Sequence, residues 1–372
     1  MNDFERRLKE SLAEVRDAGR IGVEPRRAVA KEELFRRMRR RRLWNFGGGA
    51  VLAGAAAVAA FALFSSIGSD PVAERTPIDA AELAAPARAL VDVGDQPGHV
   101  SVGGLNYVWS SNQASNDVSR IDPKLNEVVA TVDVGSPPGD IAIGTGPVWV
   151  ALPSEGQVVQ IDPNAQTVVG EPIVVSDGPL THMELSVGAG ALWVVARDEG
   201  LWRVDLADPS SILKVEGIVA PTDVAVREET VLVLSSEGVI HRLSSVTGAR
   251  TAAPLRVEAT EDGEITLAGE TLWYFNQGGE TILQLDPTTG EVLNQVDPVG
   301  SVVDFVIDPD VAWILSADAD THYLTQLDRA QTVLSGEPIE VSGGPVEAVI
   351  AGGSLWLSLS DEDAVLRFSK YR

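Results

Sequence analysis

Residues 140–150 read Asp-Ile-Ala-Ile-Gly-Thr-Gly-Pro-Val-Trp-Val, followed by Gln-Val-Val-Gln-Ile-Asp-Pro at 157–163 and Thr-Val-Val at 167–169. The stretch holds short apolar runs of the kind that form strands, cut by Gly, Pro and Asp turn residues. Relatives of it recur along the chain. The tryptophan returns at Trp109, Trp149, Trp193, Trp273, Trp313 and Trp356, and Leu232 takes its place in one copy. The steps between them are 40, 44, 39, 41, 40 and 43 residues.

A period near 40 with four strand-like runs in each unit predicts an all-β, seven-bladed β-propeller. One four-stranded blade cannot bury both faces, so the copies must stack around an axis. The seventh copy has runs at Val346–Ala351, Ser354–Ser358 and Ala364–Phe368, then ends without a fourth. A substitute lies upstream. Ala89-Leu-Val-Asp-Val-Gly94 matches Ala130-Thr-Val-Asp-Val-Gly135 at five of six positions. Residues 90–93 are therefore expected to pair with the last blade and close the ring, which removes exposed sheet edges. The propeller is assigned to 89–372.

Charge divides the chain. Residues 1–43 carry 14 Lys/Arg and 8 Asp/Glu, a balance of +6, leaving 15 basic and 46 acidic residues elsewhere, a balance of −31. So acidic a propeller is poorly suited to nucleic-acid phosphates, and suits cations or basic partners if its charge is more than a solubilising surface. With no cysteine, disulfides, thiolate metal sites and Cys nucleophiles are excluded. No phosphate loop, Ser-centred elbow or metalloprotease motif is present, so no catalytic residue is assigned.

Phe46–Ile67 is a run of twenty-two residues without charge, preceded by Arg36, Arg37 and Arg39–Arg42 and followed by Asp70, Glu74 and Asp79. At roughly 1.5 Å per residue it matches a hydrocarbon core. We read 44–67 as an uncleaved transmembrane helix, with 1–43 a basic cytoplasmic segment and 68–88 a linker. The positive-inside bias places the propeller outside the plasma membrane in a single-pass topology. Partners implied are anionic lipid for the basic flank and a protein or small ligand for the propeller. A helix at 2–18, with Phe4, Leu8, Leu12 and Val15 on one face, is expected either to flank the anchor or to dock a cytoplasmic protein. The plan is similar to actinobacterial single-span proteins with a short Arg-rich N-terminus, some of them associated with alternative sigma factors, but lacks the His/Cys zinc motif of common anti-sigma domains.

The Ile-Ala-Val-Gly-x-Gly-x-Leu-Trp-Val type phrases resemble the YVTN-type propellers, the NHL repeats and the streptogramin (virginiamycin B) lyases. So do the turns at Ile121–Pro123, Ile161–Pro163 and Leu285–Pro287. The likeness spans about 285 residues. It implies a propeller that binds or senses or, as in the lyases, uses a histidine and carboxylates with a divalent metal. The lyases' Asp-Gly-x-Leu-Trp-Phe-Thr phrase is absent here, so the resemblance carries fold rather than activity.

Nine residues before each tryptophan position stand Asp140, Glu184, Asp223, Glu264, Asp304 and Glu347, and the first copy, one residue longer, holds His99. Stacking is expected to gather these at one mouth of the central channel. Two readings stand. The acids bind a cation, Ca2+ or Mg2+, or a basic ligand group; or they cap strands by accepting backbone N–H bonds from their own turn or the next blade. His182, two residues before Glu184, joins the same rim, and His99 or His182 would be the base if the chain is a lyase or hydrolase. The Asp of each Asp-Pro turn is expected to hold its turn, and the tryptophans to pack between blades with indole N–H groups on carbonyls.

Overall fold

The computed structural model describes residues 88–308, 311–328 and 332–368. The expected segments 1–43, 44–67 and most of the linker lie outside these. Among the described residues no helix is long and apolar enough to cross a membrane.

Seven four-stranded antiparallel sheets follow one another around a ring. Blades 1 to 6 are consecutive meanders over 97–133, 141–174, 183–215, 221–256, 263–296 and 301–341. Blade 7 takes three strands from 345–368 and its outermost strand from Arg88–Asp92 (β1). The closing pairs run Arg88 with Phe368, Leu90 with Leu366 and Asp92 with Ala364. The Val93 amide adds a bond to the Asp363 carbonyl at 3.0 Å. The expected clasp is present, its strand starting two residues before the expected 90–93 and ending one residue sooner.

Burial explains the periodic signal. Inner and second strands are sandwiched by neighbouring blades, as at Ala191–Ala196, where every residue is buried. Outer strands face solvent, and Glu127–Asp133 alternates exposed with covered positions. The six repeated tryptophans are no more than 3 % exposed and form the largest side chains of the inter-blade cores. Leu232, 0 % exposed, fills the same layer in blade 4.

The Asp-Pro turns are held as expected. Asp162 Oδ1 accepts the amides of Asn164 at 2.7 Å and Ala165 at 3.1 Å. Asp286 Oδ1 does the same for Thr288 and Thr289, both at 2.7 Å. Those backbone bonds, Thr289 foremost, hold the Asp286 carboxyl below the usual carboxylate range.

The indoles differ from expectation. Trp273 donates to the Thr271 hydroxyl at 3.1 Å, not to a carbonyl, and the indole nitrogens of Trp109, Trp193 and Trp356 have no hydrogen-bond partner. Arginines, not indoles, bond the turn carbonyls of the next blade. Cross-strand register sets Trp109 opposite Arg120, Trp193 opposite Arg203, Leu232 opposite Arg242 and Trp356 opposite Arg367. Each guanidinium then reaches the next blade: Arg120 to Pro163 O at 2.6 Å, Arg203 to Ser245 O at 2.7 Å, Arg242 to Thr288 O at 2.8 Å and Arg367 to Pro123 O at 2.7 Å. Arg367 also lies 5.2 Å over the Trp356 ring. Blades 2, 5 and 6 carry Gln160, Gln284 and Gln326 opposite their tryptophans.

Candidate functional site

In an antiparallel meander the start of the first strand, the end of the second and the turn to the third share one face. All seven aligned positions therefore sit at the same end of the inner strands. His99, Asp140, Glu184, Asp223, Asp304 and Glu347 are at most 5 % exposed, while Glu264 is half-buried. In blades 1, 4, 6 and 7 the inner strand is bulged at this point, with register shifts between Pro97 and Val100, Pro221 and Asp223, Val302 and Asp304, and Pro345 and Ala348. A bulge re-aims a side chain without ending the ladder.

Four of the acids point sideways into the adjoining blade. Asp140 Oδ2 accepts the Leu185 amide at 2.8 Å, Asp223 Oδ2 that of Ile265 at 2.8 Å, and Asp304 Oδ2 that of Ala348 at 2.9 Å. Glu347 Oε2 takes the Val100 amide at 3.1 Å, which carries the pattern across the ring closure. In each case the donor is the residue after the aligned position of the next blade. Asp223 and Asp304 use their other oxygen for the following amide, Val224 at 2.6 Å and Phe305 at 2.8 Å. Strand capping is thus the visible work of Asp140, Asp223, Asp304 and Glu347. Among the described residues, no three His, Asp or Glu side chains are grouped to hold a metal ion.

His99, Glu184 and Glu264 line cavities. A cleft of about 160 Å3 opens across blades 1, 2 and 3, and His99, His182 and Glu184 reach it. Gln113, Ser154 and Thr181 add polar groups, and Pro137, Pro138, Pro153 and Met183 form its apolar walls. A smaller pocket beside it, lined by Thr222, Glu261 and Glu264, shares His182 and Glu184. Arg197, from the turn after the second strand of blade 3, arches to the Glu261 carbonyl and lies 3.8 Å from Asp262.

Local backbone fixes the cleft wall. Pro153–Glu155 forms a 3-10 turn ended by Gly156 at φ 63°. The Gly156 carbonyl accepts the amides of Val175 and Ser176. A Cβ there would come within 2.6 Å of Ser176 O and 2.7 Å of Gly178 O, so only glycine fits.

The histidines are set by specific contacts. His182 Nε2 is 2.7 Å from the Thr222 carbonyl, and its Nδ1 is 3.7 Å from Glu184 Oε1. His99 Nδ1 is 3.3 Å from Glu347 Oε2 and 3.9 Å from Asp140 Oδ1. The Thr222 contact and the arginine belt were not anticipated from the sequence. The belt had a signal, a recurring Arg or Gln ten to thirteen residues after each tryptophan position; the Thr222 contact had none.

No family model and no curated protein matches the chain. Solved structures do. Streptogramin B lyase aligns with a TM-score of 0.61 at 12% identity, over 76% of this chain and 96% of that one. The virginiamycin B lyase of Staphylococcus aureus aligns at 0.59 and 14%, over 76% and 98%. The Cps50 (Swd1) propeller domain of Myceliophteria thermophila aligns at 0.65 and 11%, over 77% and 100%. At such identities, lyases and a non-lyase propeller are matched alike, so what the chain shares with them is the seven-bladed β-propeller fold.

Proposed function

We propose that the chain is a membrane-tethered binding module that captures a small ligand or a protein segment in the cleft across blades 1 to 3. The observation that carries this reading is the meeting of His99, His182 and Glu184 in one open, partly apolar cavity. Concave sites with apolar walls and a few converging polar groups are where proteins hold ligands. The tether rests on the uncharged run Phe46–Ile67 and the arginines before it. Its direction of entry supports an outward-facing site. β1 runs antiparallel to the last strand, so Arg88 lies at the face opposite the cleft. A ring hung from that face would present its cleft away from a bilayer. The basic segment 1–43 would lie on the other side, where 2–18 could engage a cytoplasmic protein.

The test is photocrosslinking in native membranes from a reactive residue at Ser154 in the cleft and, separately, at Leu125 on the opposite face. Capture of one species from Ser154 and not from Leu125 supports the reading; equal capture, or capture from Leu125 alone, rejects it.

The two histidines beside a carboxylate also favour a second reading, a lyase or hydrolase with His182 or His99 as base, on the fold shared with streptogramin B lyase. Turnover of a streptogramin B that is lost in His182→Ala or His99→Ala would favour it over simple binding.

A further inference from the structure

The two faces of the ring differ in what they expose. The chain enters at Arg88, on the face opposite the cleft. That entry face is built from the turns joining first to second and third to fourth strands of each blade. The cleft face is built from the second-to-third turns and the connections between blades. Its loops hold seventeen Asp/Glu and a single basic residue, Arg197. The entry-face turns hold, among the described residues, seven Asp/Glu with Lys124 and Arg250. Arg88, Arg227 and the four belt arginines stand in the strand halves that adjoin the same side. Eight of the eleven described basic residues therefore belong to the entry side.

Apolar exposure divides the same way. Fourteen large apolar side chains stand exposed among the described residues. Eleven lie in entry-face turns or at the adjoining ends of outer strands, and only Val174, Val219 and Val299 lie on the cleft side. Leu105 and Leu125, 62 % and 59 % exposed, tip the two entry-face turns of blade 1. Those turns adjoin the point of entry. Arg88 pairs with Phe368, and the neighbouring Arg367 bonds Pro123 O and Asn126 Oδ1, which bracket Lys124 and Leu125. Between the strands of blades 7, 1 and 2 this face carries no acid among the described residues. Asp122 and Asp162, at the strand ends, accept turn amides. Glu127, first in the outer strand of blade 1, is offset in charge by Lys124.

We propose that the ring lies with its entry face on the outer leaflet, blades 1 and 2 foremost, an inference that rests on the membrane-tethered reading. Twenty residues, 68–87, separate the expected span from Arg88, so this face stays within roughly 70 Å of the bilayer even at full extension. Exposed leucines can enter the headgroup boundary while Lys and Arg meet lipid phosphates. The acidic cleft face is repelled by the same phosphates and turns to the outside.

The experiment reconstitutes the full chain in vesicles of phosphatidylcholine and phosphatidylglycerol. Because the chain has no cysteine, each single substitution to Cys takes a fluorescent label at one place. Labels at Leu105 and Leu125 should be quenched several-fold more by nitroxide on lipid headgroups than labels at Ser154 and Val219 on the cleft face. Leu105→Glu combined with Leu125→Glu, both at exposed positions, should lower the quenching of a label at Val129. Equal quenching on the two faces, or none at Leu105 and Leu125, overturns the proposal. So does quenching by nitroxide on a second chain and not by nitroxide on lipid, which would make the face a self-contact. Failure of the tether itself would show separately, as a label at Ala57 that escapes nitroxide on the lipid acyl chains.

Discussion

Asp304 grips Ala348 across a blade boundary: one carboxylate oxygen accepts that residue's amide at 2.9 Å while the other takes the amide of Phe305 at 2.8 Å. Both bonds are buried, and two strands of different blades share one side chain. Removing it leaves two buried N–H groups without an acceptor, each costing about 1–3 kcal/mol. Asp304→Ala is therefore expected to destabilise the ring by roughly 3 kcal/mol, and Asp304→Asn, which keeps one acceptor oxygen, by about half that. Denaturant unfolding of the two variants checks the order; equal midpoints to wild type would refute the staple.

Arg367 makes the corresponding clasp on the outer layer. It bonds Pro123 O at 2.7 Å and Asn126 Oδ1 at 2.6 Å from one nitrogen, and stacks on Trp356. Arg367→Lys keeps the charge but loses the planar fork, so it is expected to cost about 1–2 kcal/mol, nearly as much as Arg367→Met. Thermal melts of the pair decide; a lysine variant as stable as wild type would show that charge alone suffices.

Closure of the ring rests on a short strand. Val91 is 3 % exposed and pairs with Val365. Val91→Asp puts an unpaired carboxylate into that layer and is expected to cost about 3 kcal/mol or more. Limited proteolysis should then cut blade 7 before any other. Cleavage that begins in blades 2 to 4 would contradict this.

Tyr274 gives a pH signature. Burial, with a smaller contribution from Glu258, pushes its phenol up to about 12, and its hydroxyl donates to Glu258 O at 3.0 Å. Above the ordinary value of about 10 the unfolded chain loses this proton while the folded chain keeps it. Its contribution to stability is thus whole below about pH 10 and falls towards pH 12, by at most about 1.4 kcal/mol per pH unit. Tyr274→Phe should flatten the stability curve in that window by this amount, read from urea unfolding at pH 9.5, 10.5 and 11.5.

How far the sequence could be read follows from what each feature depends on. The blades were legible because their tryptophans answer to burial, and burial repeats every 40 residues or so. The clasp was legible because Ala89–Gly94 copies a strand that blade 7 lacks. The aligned acids were legible as a set, yet their division of labour was not. Asp223 and Asp304 turn into the next blade at bulges that no composition rule announces, and Glu184 meets His182 at a cleft. The setting of His182 depends on a carbonyl forty residues away, and main-chain atoms leave no trace in a list of side chains. The arginine belt was obscured because the position facing each tryptophan is Arg in some blades and Gln in others, and its spacing varies with the length of the intervening hairpin.

The clasp has a mechanical meaning. The chain enters the ring along β1, which lies antiparallel to the C-terminal strand over five cross-strand pairs. A tug on whatever precedes Arg88 pulls along that strand and loads all five pairs in shear, not one at a time as in peeling. The joint that completes the circle is also the joint that would bear the strain, and it is built in the orientation that resists it best.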